Sequence, residues 1–286
     1  MKSTVMIPTY NRVDYLAECL DCFLNQELEE GNEVEIIVIS DGCEKTVEWF
    51  KKSKYSEEPM IRIFNSHYSQ GFGIRLCFNI GAKFSTGEQL IFMADDCLVD
   101  SDYVRSHQRY FEEGLMLMSR IAHVHPQHTR KWLWPEDRFV FSPDFVKQAG
   151  YFWDDDWEYA EDKVWGAELP ITAYVGATMS VCRKNFMELG GNQIGNREEF
   201  DDCELGHKWT ATGRGVRFIG SWVYHKGGSS GVIYEELKRV EGDERVVIDK
   251  EVRYEEVVKI ITEKWLISNK GLTYFDGDWS EYEVEL

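Results

Sequence analysis

Nowhere in these 286 residues does an apolar run approach the ~20 residues that would carry a helix across a bilayer. The opening MKSTVMIPTYNR has one Lys and too short an apolar stretch before Pro8 and Asn11 to form a secretory leader. A disulfide framework is missing as well, because the seven cysteines are odd in number and scattered, a pattern that fits a reducing compartment. Cys19 and Cys22 form a lone C-x-x-C with no second pair to complete a zinc site. Apolar residues at 13, 16, 20 and 23 set both on one helix, where a structural role is expected. Positive charge is scarce: 32 basic against 51 acidic residues leave a formal charge of −19, which repels polyanions and disfavours general nucleic-acid binding. Two phosphate-binding signatures are also absent. PTYNR (8–12) stands where G-x-G-x-x-G would follow the first strand, GFG at 71–73 has too few glycines, and no Walker lysine motif occurs. These absences exclude dinucleotide oxidoreductases and P-loop enzymes. The expectation is a cytoplasmic protein with no transmembrane segment, at most peripheral to a membrane.

What is present is an alternation of two periods. Thr4–Ile7, Val34–Ile39, Ile61–Phe64 and Gln89–Met93 read as short apolar strands, and Val13–Asn25 and Gly73–Phe84 as amphipathic helices. Strands alternating with helices predict an α/β fold with a mostly parallel sheet flanked by helices. Ligands in such sheets bind beyond the carboxyl ends of the strands, which selects PTYNR (8–12), SDGCEKT (40–46), NSHYSQGFG (65–73) and ADDC (94–97). Further on, YFWDDDWEYAEDKVWGAELP (151–170) carries seven carboxylates against one Lys and reads as an insertion or flap. VGATMSVC followed by RKNFMEL reads as an apolar stretch and a helix closed by Gly190–Gly191. No carboxylate occurs between Glu113 and Glu136, where Arg120, Arg130, Lys131, His123, His125 and His128 stand near Trp132 and Trp134. This segment is either an anionic or aromatic acceptor surface or a solvated loop. The chain from 229 to 286 is rich in charge, with apolar residues at 257, 258, 261 and 265, and reads as a mainly helical extension.

The adjacent acids Asp95 and Asp96, directly after an apolar strand, suit Mg²⁺ or Mn²⁺, which prefer oxygen ligands shared between carboxylates and substrate phosphates. A plain strand-end turn capped by Asp is the alternative. Asp41 at the end of a neighbouring strand, Arg75 on the preceding helix and the acidic stretch REEFDDCEL (197–205) favour the metal reading.

Four stretches in register carry a family resemblance: VMIPTYNRVDYLAECLDCFLNQ (5–26), VEIIVISDGCEKT (34–46), GFGIRLCFNIGAKFSTGEQLIFMADDCLVDSDYV (71–104), and VGATMSVCRKNFMELGGNQ with EEFDDCELGHKW (175–209). The chain resembles the family 2 glycosyltransferases, inverting enzymes of GT-A fold that use nucleotide sugars. The resemblance implies a GT-A (Rossmann-like) mixed sheet over 1–228, with a nucleotide-binding half at about 1–105 and an acceptor-binding half at about 106–228, before the extension at 229–286. It implies nucleobase contacts from Pro8, Tyr10, Arg12 and Asp41, with a UDP-sugar as donor, because a carboxylate accepts the uracil N3–H. Arg75 would lie near the diphosphate, which a guanidinium suits.

The family's metal motif, D-x-D, is met here by Ala94-Asp95-Asp96, with Ala94 in place of the first acid. In this register Asp96 is the metal ligand and Asp95 a ligand or ribose contact. A second register ending on Cys97 would replace a hard oxygen by a thiol, which Mg²⁺ and Mn²⁺ disfavour. By the same resemblance His225, in SWVYHKGGSS, would complete the metal site, with Lys226 beside it to offset phosphate charge. Asp202, with Asp201 beside it, would be the base that takes the acceptor proton. The alternatives are a non-catalytic nucleotide-sugar-binding module and a sugar-phosphate nucleotidyltransferase, although the latter normally has a Gly-rich loop where PTYNR stands. The acceptor stays open among a glycan, a lipid-linked sugar, a protein and a hydroxylated nucleobase in DNA.

Overall fold

Apolar runs such as VEIIVIS can be buried on both faces only if helices cover both sides of the sheet they join. The computed structural model meets that requirement; it describes residues 1–67, 73–124, 150–151, 164–165, 176–192, 201–226, 275 and 278–284. Strands β1 (Lys2–Thr9), β2 (Glu33–Ser40), β3 (Ile61–Asn65) and β4 (Gln89–Phe92) alternate with helices α1 (Val13–Leu24), α2 (Glu44–Lys52) and α3 (Ile74–Phe84). The parallel block runs β3-β2-β1-β4, with Val5 opposite Ile36 and Ile91, and Ile36 opposite Ile61. Every expected element of this half is present, within about two residues at each end. Helix α2, not anticipated, buries Thr46, Val47 and Phe50 at helical spacing.

The second half makes the sheet mixed. Short β5 (Cys97–Val99) and α4 (Tyr103–Arg109) follow the acidic turn, then β6 (Leu115–Val124), β7 (Gly150–Tyr151), β8 (Val164–Trp165), β9 (Met179–Cys182), α5 (Arg183–Glu188), α6 (Asp201–Ala211) and β10 (Gly215–His225). The full order is β3-β2-β1-β4-β9-β6-β10-β5, with β7 pairing β6 and β8 pairing β10. β9 runs antiparallel to β4 and β6, β10 runs parallel to β6, and β5 runs antiparallel to β10.

Alternate residues of each strand feed two cores. On one face Val5, Ile7, Ile36, Val38 and Ile91 pack with Leu16, Cys19, Leu20 and Phe23 of α1 and Phe50 of α2. On the other, Met6, Ile37, Ile39, Leu90 and Phe92 pack with Phe78 and Ile80 of α3, Phe186 of α5 and Trp209 of α6. Burying each such side chain is worth about 1.5–3 kcal/mol. The central residue of the α1 stripe, Leu20, would cost about 2–5 kcal/mol if cut to Ala. Cys19 and Cys22 are buried, free thiols within that stripe, as a structural role requires.

Part of the carboxylate-free segment reads differently once folded. Leu115–Ser119 forms the buried part of interior strand β6, so carboxylates are missing there because the strand is core and not because it is a contact surface. Arg120 is exposed and lies over the Trp222 ring at 5.5 Å. Residues 125–136 lie outside the described residues, and of the acidic stretch 151–170 only Tyr151, Val164 and Trp165 are described, all in strands of the sheet.

Helix α5 ends as anticipated at Gly190 and Gly191, whose φ values of 76° and 64° are the left-handed ones a C-terminal cap needs. The described part of the extension, residues 275 and 278–284, contains the 3-10 turn Ser280–Tyr282 and an isolated bridge from Glu283 to Phe64 of β3. Phe275 is buried there and stacks on Trp279 at 5.8 Å. Residues 227–274 lie outside the described residues.

Candidate active site

Strands β1, β2 and β4 end side by side, and their carboxyl ends carry Thr9, Ser40-Asp41 and the turn 93–96. Asn11 holds a left-handed φ of 52°, a conformation Asn tolerates better than most residues, and turns the chain so that Arg12 opens α1. The Arg12 guanidinium then reaches across to the acidic turn. Its Nε donates to Asp95 Oδ2 at 3.2 Å, Nη2 pairs with Asp95 Oδ1, and Nη1 donates to Asp96 Oδ2 at 2.9 Å. Thr9 Oγ1 adds a bond to Asp95 Oδ2 at 2.8 Å. Sequence reasoning missed Thr9, although its place inside PTYNR, one residue before the exposed Tyr10, was the available signal.

The remaining oxygen of the pair points elsewhere. Strand β5 leaves the turn to pair with β10, setting Cys97 opposite His225, and His225 Nε2 lies 3.3 Å from Asp96 Oδ1. The Lys226 amide donates to the Asp96 carbonyl at 2.9 Å and fixes the end of β10 against the turn.

The two carboxyls differ electrostatically. Burial alone would raise Asp96, but the hydrogen bond and charge of His225, with those of Arg12, outweigh it and hold Asp96 at about 2. Burial pushes Asp95 up to about 6, with Arg12 opposing and the Asp96 charge adding to the rise. Burial, and then the two acids, push the Cys97 thiol well above its ordinary value, so it stays protonated near neutrality. Asp96, Cys97 and His225 offer donor atoms within 4.8 Å of one another. Of these, the carboxylate and the imidazole are the pair a hard cation would take, and the protonated thiol is not. Their 3.3 Å separation suits adjacent donors of an octahedral ion, which lie about 3 Å apart for bonds of about 2.1 Å. The residues therefore fit Mg²⁺ or Mn²⁺.

The other expected residues are distributed as follows. Pro8 is buried in β1, whereas Tyr10 is 54% exposed. Asp41 is buried and accepts from Ser66 Oγ at 3.2 Å and from the Gly73 amide at 2.7 Å, thereby joining the two ends of the 68–72 segment, which lies outside the described residues. Arg75, expected near the diphosphate, is buried on α3, its side chain 6% exposed, and pairs with Glu204 of α6. Lys226 directs its ammonium to Glu18 of α1 and over the Tyr15 ring at 4.9 Å, away from the role expected of it toward phosphate. Asp201 and Asp202 open α6, as expected for the acidic helix start; their side chains lie outside the described ones.

A parallel first half, a mixed second half, an acidic turn after the last strand of the parallel block and a histidine brought to that turn by a later strand define a GT-A fold. The chain belongs to glycosyl transferase family 2, whose sequence pattern matches residues 4–188. It is similar to the uncharacterized glycosyltransferase EpsJ of Bacillus subtilis (25% identity over 193 residues, 56% of this chain and 53% of that protein). It is also similar to the poly(ribitol-phosphate) beta-glucosyltransferase of Bacillus spizizenii (29% over 115 residues, 40% and 18%). The chain thus spans about half the length or less of these two relatives. Among solved structures it superposes on S. aureus TarS with a TM-score of 0.54 (17% identity, 79% of this chain and 37% of that one). With GalNAc-T7, crystallised with UDP, GalNAc and Mn²⁺, the TM-score is 0.53 (18% identity, 79% and 44%). At these identities the likeness is one of fold. No helix among the described residues is long and apolar enough to cross a membrane.

Proposed function

We propose that the protein is a metal-dependent inverting glycosyltransferase that moves a sugar from a nucleotide donor, a UDP-sugar, to an acceptor hydroxyl. The observation that carries this reading is the meeting of Asp96 Oδ1 and His225 Nε2 at 3.3 Å, at the carboxyl end of a GT-A sheet. Membership of glycosyl transferase family 2 supports it, as does likeness in fold to GalNAc-T7, crystallised with UDP and Mn²⁺, and to TarS, crystallised with UDP-GlcNAc.

Asp96 and His225 would hold Mn²⁺ or Mg²⁺, whose charge would stabilise the diphosphate as it departs. Tyr10, exposed beside the turn, offers an aromatic face to the nucleobase, and Asp41 closes the neighbouring strand end with two hydrogen bonds that retain acceptor capacity. Asp202, in the first turn of α6, would take the proton of the attacking hydroxyl, and Asp201 beside it would raise its affinity for that proton by like-charge repulsion. The acceptor class stays open among a glycan, a lipid-linked sugar, a protein and a hydroxylated nucleobase.

Calorimetric titration of UDP with and without Mn²⁺, followed by nucleotide release from a panel of UDP-sugars, tests the reading. UDP binding is expected to require Mn²⁺ and to be lost in Asp96→Ala and His225→Ala. UDP binding that ignores both the metal and these substitutions would sink the metal-dependent assignment.

A further inference from the structure

Three of the four carboxylate oxygens of the acidic pair are engaged by one side chain of the same protein. Arg12 takes both oxygens of Asp95, the planar fork matching the planar carboxylate, and Oδ2 of Asp96. Thr9 occupies a further lone pair on Asp95. What the turn offers a cation is therefore one carboxylate oxygen, Asp96 Oδ1, with the imidazole nitrogen at its side.

We infer that Arg12 is a resident counter-cation of this site, which withholds Asp95 from the metal so that a divalent ion is bound tightly only together with a diphosphate. The inference deepens the proposed function and rests on its metal-dependent reading. Its physical basis is a competition of charges. A guanidinium bonded to both acids offsets much of the negative potential that would otherwise draw a divalent ion into the turn. Two protein donors fill only part of an octahedral shell, and the phosphate oxygens of a donor are the natural source of others. Arg12 stands on the open side of this arrangement, its side chain 34% exposed, while the Asp95 side chain beneath it is fully buried. Its helix-start position leaves the side chain without a capping duty, since no cap bond from it to α1 exists. In a chain of charge −19, such an arrangement keeps free cations from filling the donor site ahead of the nucleotide.

The test measures Mn²⁺ binding to the full chain, by the loss of the free-ion paramagnetic resonance signal, with no nucleotide present and then with UDP. Arg12→Gln is expected to bind Mn²⁺ alone at least about tenfold more tightly than the wild type, because it unmasks Asp95 and removes a positive charge. Arg12→Gln/Asp95→Asn is expected to lose that gain. Asp95→Asn alone, with Arg12 in place, is expected to gain no affinity for Mn²⁺ alone, and to lose less, through the missing negative charge, than the same substitution loses in Arg12→Gln, where Asp95 is a ligand. Circular dichroism checks that each variant is folded, and Arg12→Lys, which loosens the clasp on Asp95, takes the place of Arg12→Gln if that chain is not. An Arg12→Gln chain that is folded yet gains no affinity, or an Asp95→Asn substitution that costs as much with Arg12 in place as without it, overturns the inference. A wild type that binds no Mn²⁺ even with UDP overturns the metal-dependent reading itself, whereas one that binds Mn²⁺ with UDP beside an unchanged Arg12→Gln overturns only the role given to Arg12.

Discussion

Arg75 of α3 and Glu204 of α6 form an ion pair that is 6% and 0% exposed in its two side chains, and Lys208, one turn further along α6, pairs with the same carboxylate. One buried anion thus serves two cations, and the pair fastens the helix opened by Asp201 and Asp202 to the helix that follows the 68–72 segment. Removing the shared member costs more than removing either partner. Glu204→Leu removes the anion shared by two buried positive charges and is expected to lower unfolding stability by about 3–5 kcal/mol, the range for breaking a buried pair. Arg75→Met leaves Glu204 paired with Lys208 and is expected to cost clearly less. Urea denaturation of the two variants measures the order, and equal losses would show that the carboxylate is not shared.

The same attachment bears on catalysis. Asp202→Asn keeps the size of the side chain and removes the charge of the proposed base, so transfer is expected to fall by about 10²–10⁴-fold, as for loss of a general base. UDP binding with Mn²⁺ should stay within about threefold, because the residues proposed to hold the nucleotide lie at the ends of β1, β2 and β4 and not on α6. Single-turnover transfer beside calorimetric binding separates the two quantities. A variant that transfers at the wild-type rate would remove Asp202 from the mechanism.

Apart from α2, the half of the fold from Lys2 to Phe92 is legible because its pattern is local: each strand is a short apolar run, α1 and α3 each carry an apolar stripe, and the turns are polar. The acids Asp95 and Asp96 were legible for the same reason, being adjacent in sequence at a strand end. Their partners were not. His225 reaches Asp96 only because β5 crosses to pair with β10, and Arg12 reaches both acids only because β1 and β4 are neighbours in the sheet. Family resemblance supplied His225, but no spacing rule could supply the clasp by Arg12. Arg75, expected near the diphosphate, pairs with a carboxylate 129 residues further along the chain, a partner no local pattern announces. Leu115–Ser119 was read for its charge, when its continuous apolar run, Leu-Met-Leu-Met, carried the strand.

His107 of α4 is fully buried, and its ring lies 2.8 Å from Ser180 Oγ on one side and 2.8 Å from Ser119 Oγ on the other. Gln89 Nε2 donates to Ser180 Oγ at 2.9 Å, and that hydroxyl can pass its own proton to Nδ1 of a neutral ring whose Nε2–H faces Ser119. Hydroxyls on both sides satisfy the neutral ring and no carboxylate bonds it, and burial lowers it from 6.5 to about 3. A folded value below the unfolded one means that the unfolded chain binds the extra proton between those limits. The stability His107 contributes is therefore complete above pH 6.5 and is lost as pH falls toward 3, by up to about 1.4 kcal/mol per pH unit. Asp100, raised to about 6 by burial, acts with the opposite sign, so the slope is taken as the difference between wild type and His107→Gln. Unfolding midpoints from pH 7 to pH 4 are expected to converge between the two proteins as the acid side is reached. A constant gap would show that His107 titrates in the folded state as it does in the unfolded one.

Gly191, at the end of α5, ties the far end of the chain to the α3 face. Its φ of 64° already disfavours any side chain. A Cβ there would stand 2.4 Å from Asn79 Oδ1 and 2.8 Å from Phe275 Cζ. Asn79 cannot yield, because its Oδ1 accepts from the Asn192 amide at 2.8 Å while its Nδ2 donates to the Asn192 carbonyl at 2.8 Å. Phe275 cannot yield without leaving the core it shares with Phe186 and Trp279. Gly191→Ala and Phe275→Ala are therefore expected to be similar in effect, each costing about 3 kcal/mol, one by overpacking and left-handed strain, the other by the cavity it leaves. Their combination should cost less than the sum, since removing the Phe275 ring also removes one of the clashes. Urea unfolding of the three variants gives the coupling, and strict additivity would show that Phe275 does not rest on Gly191 in solution.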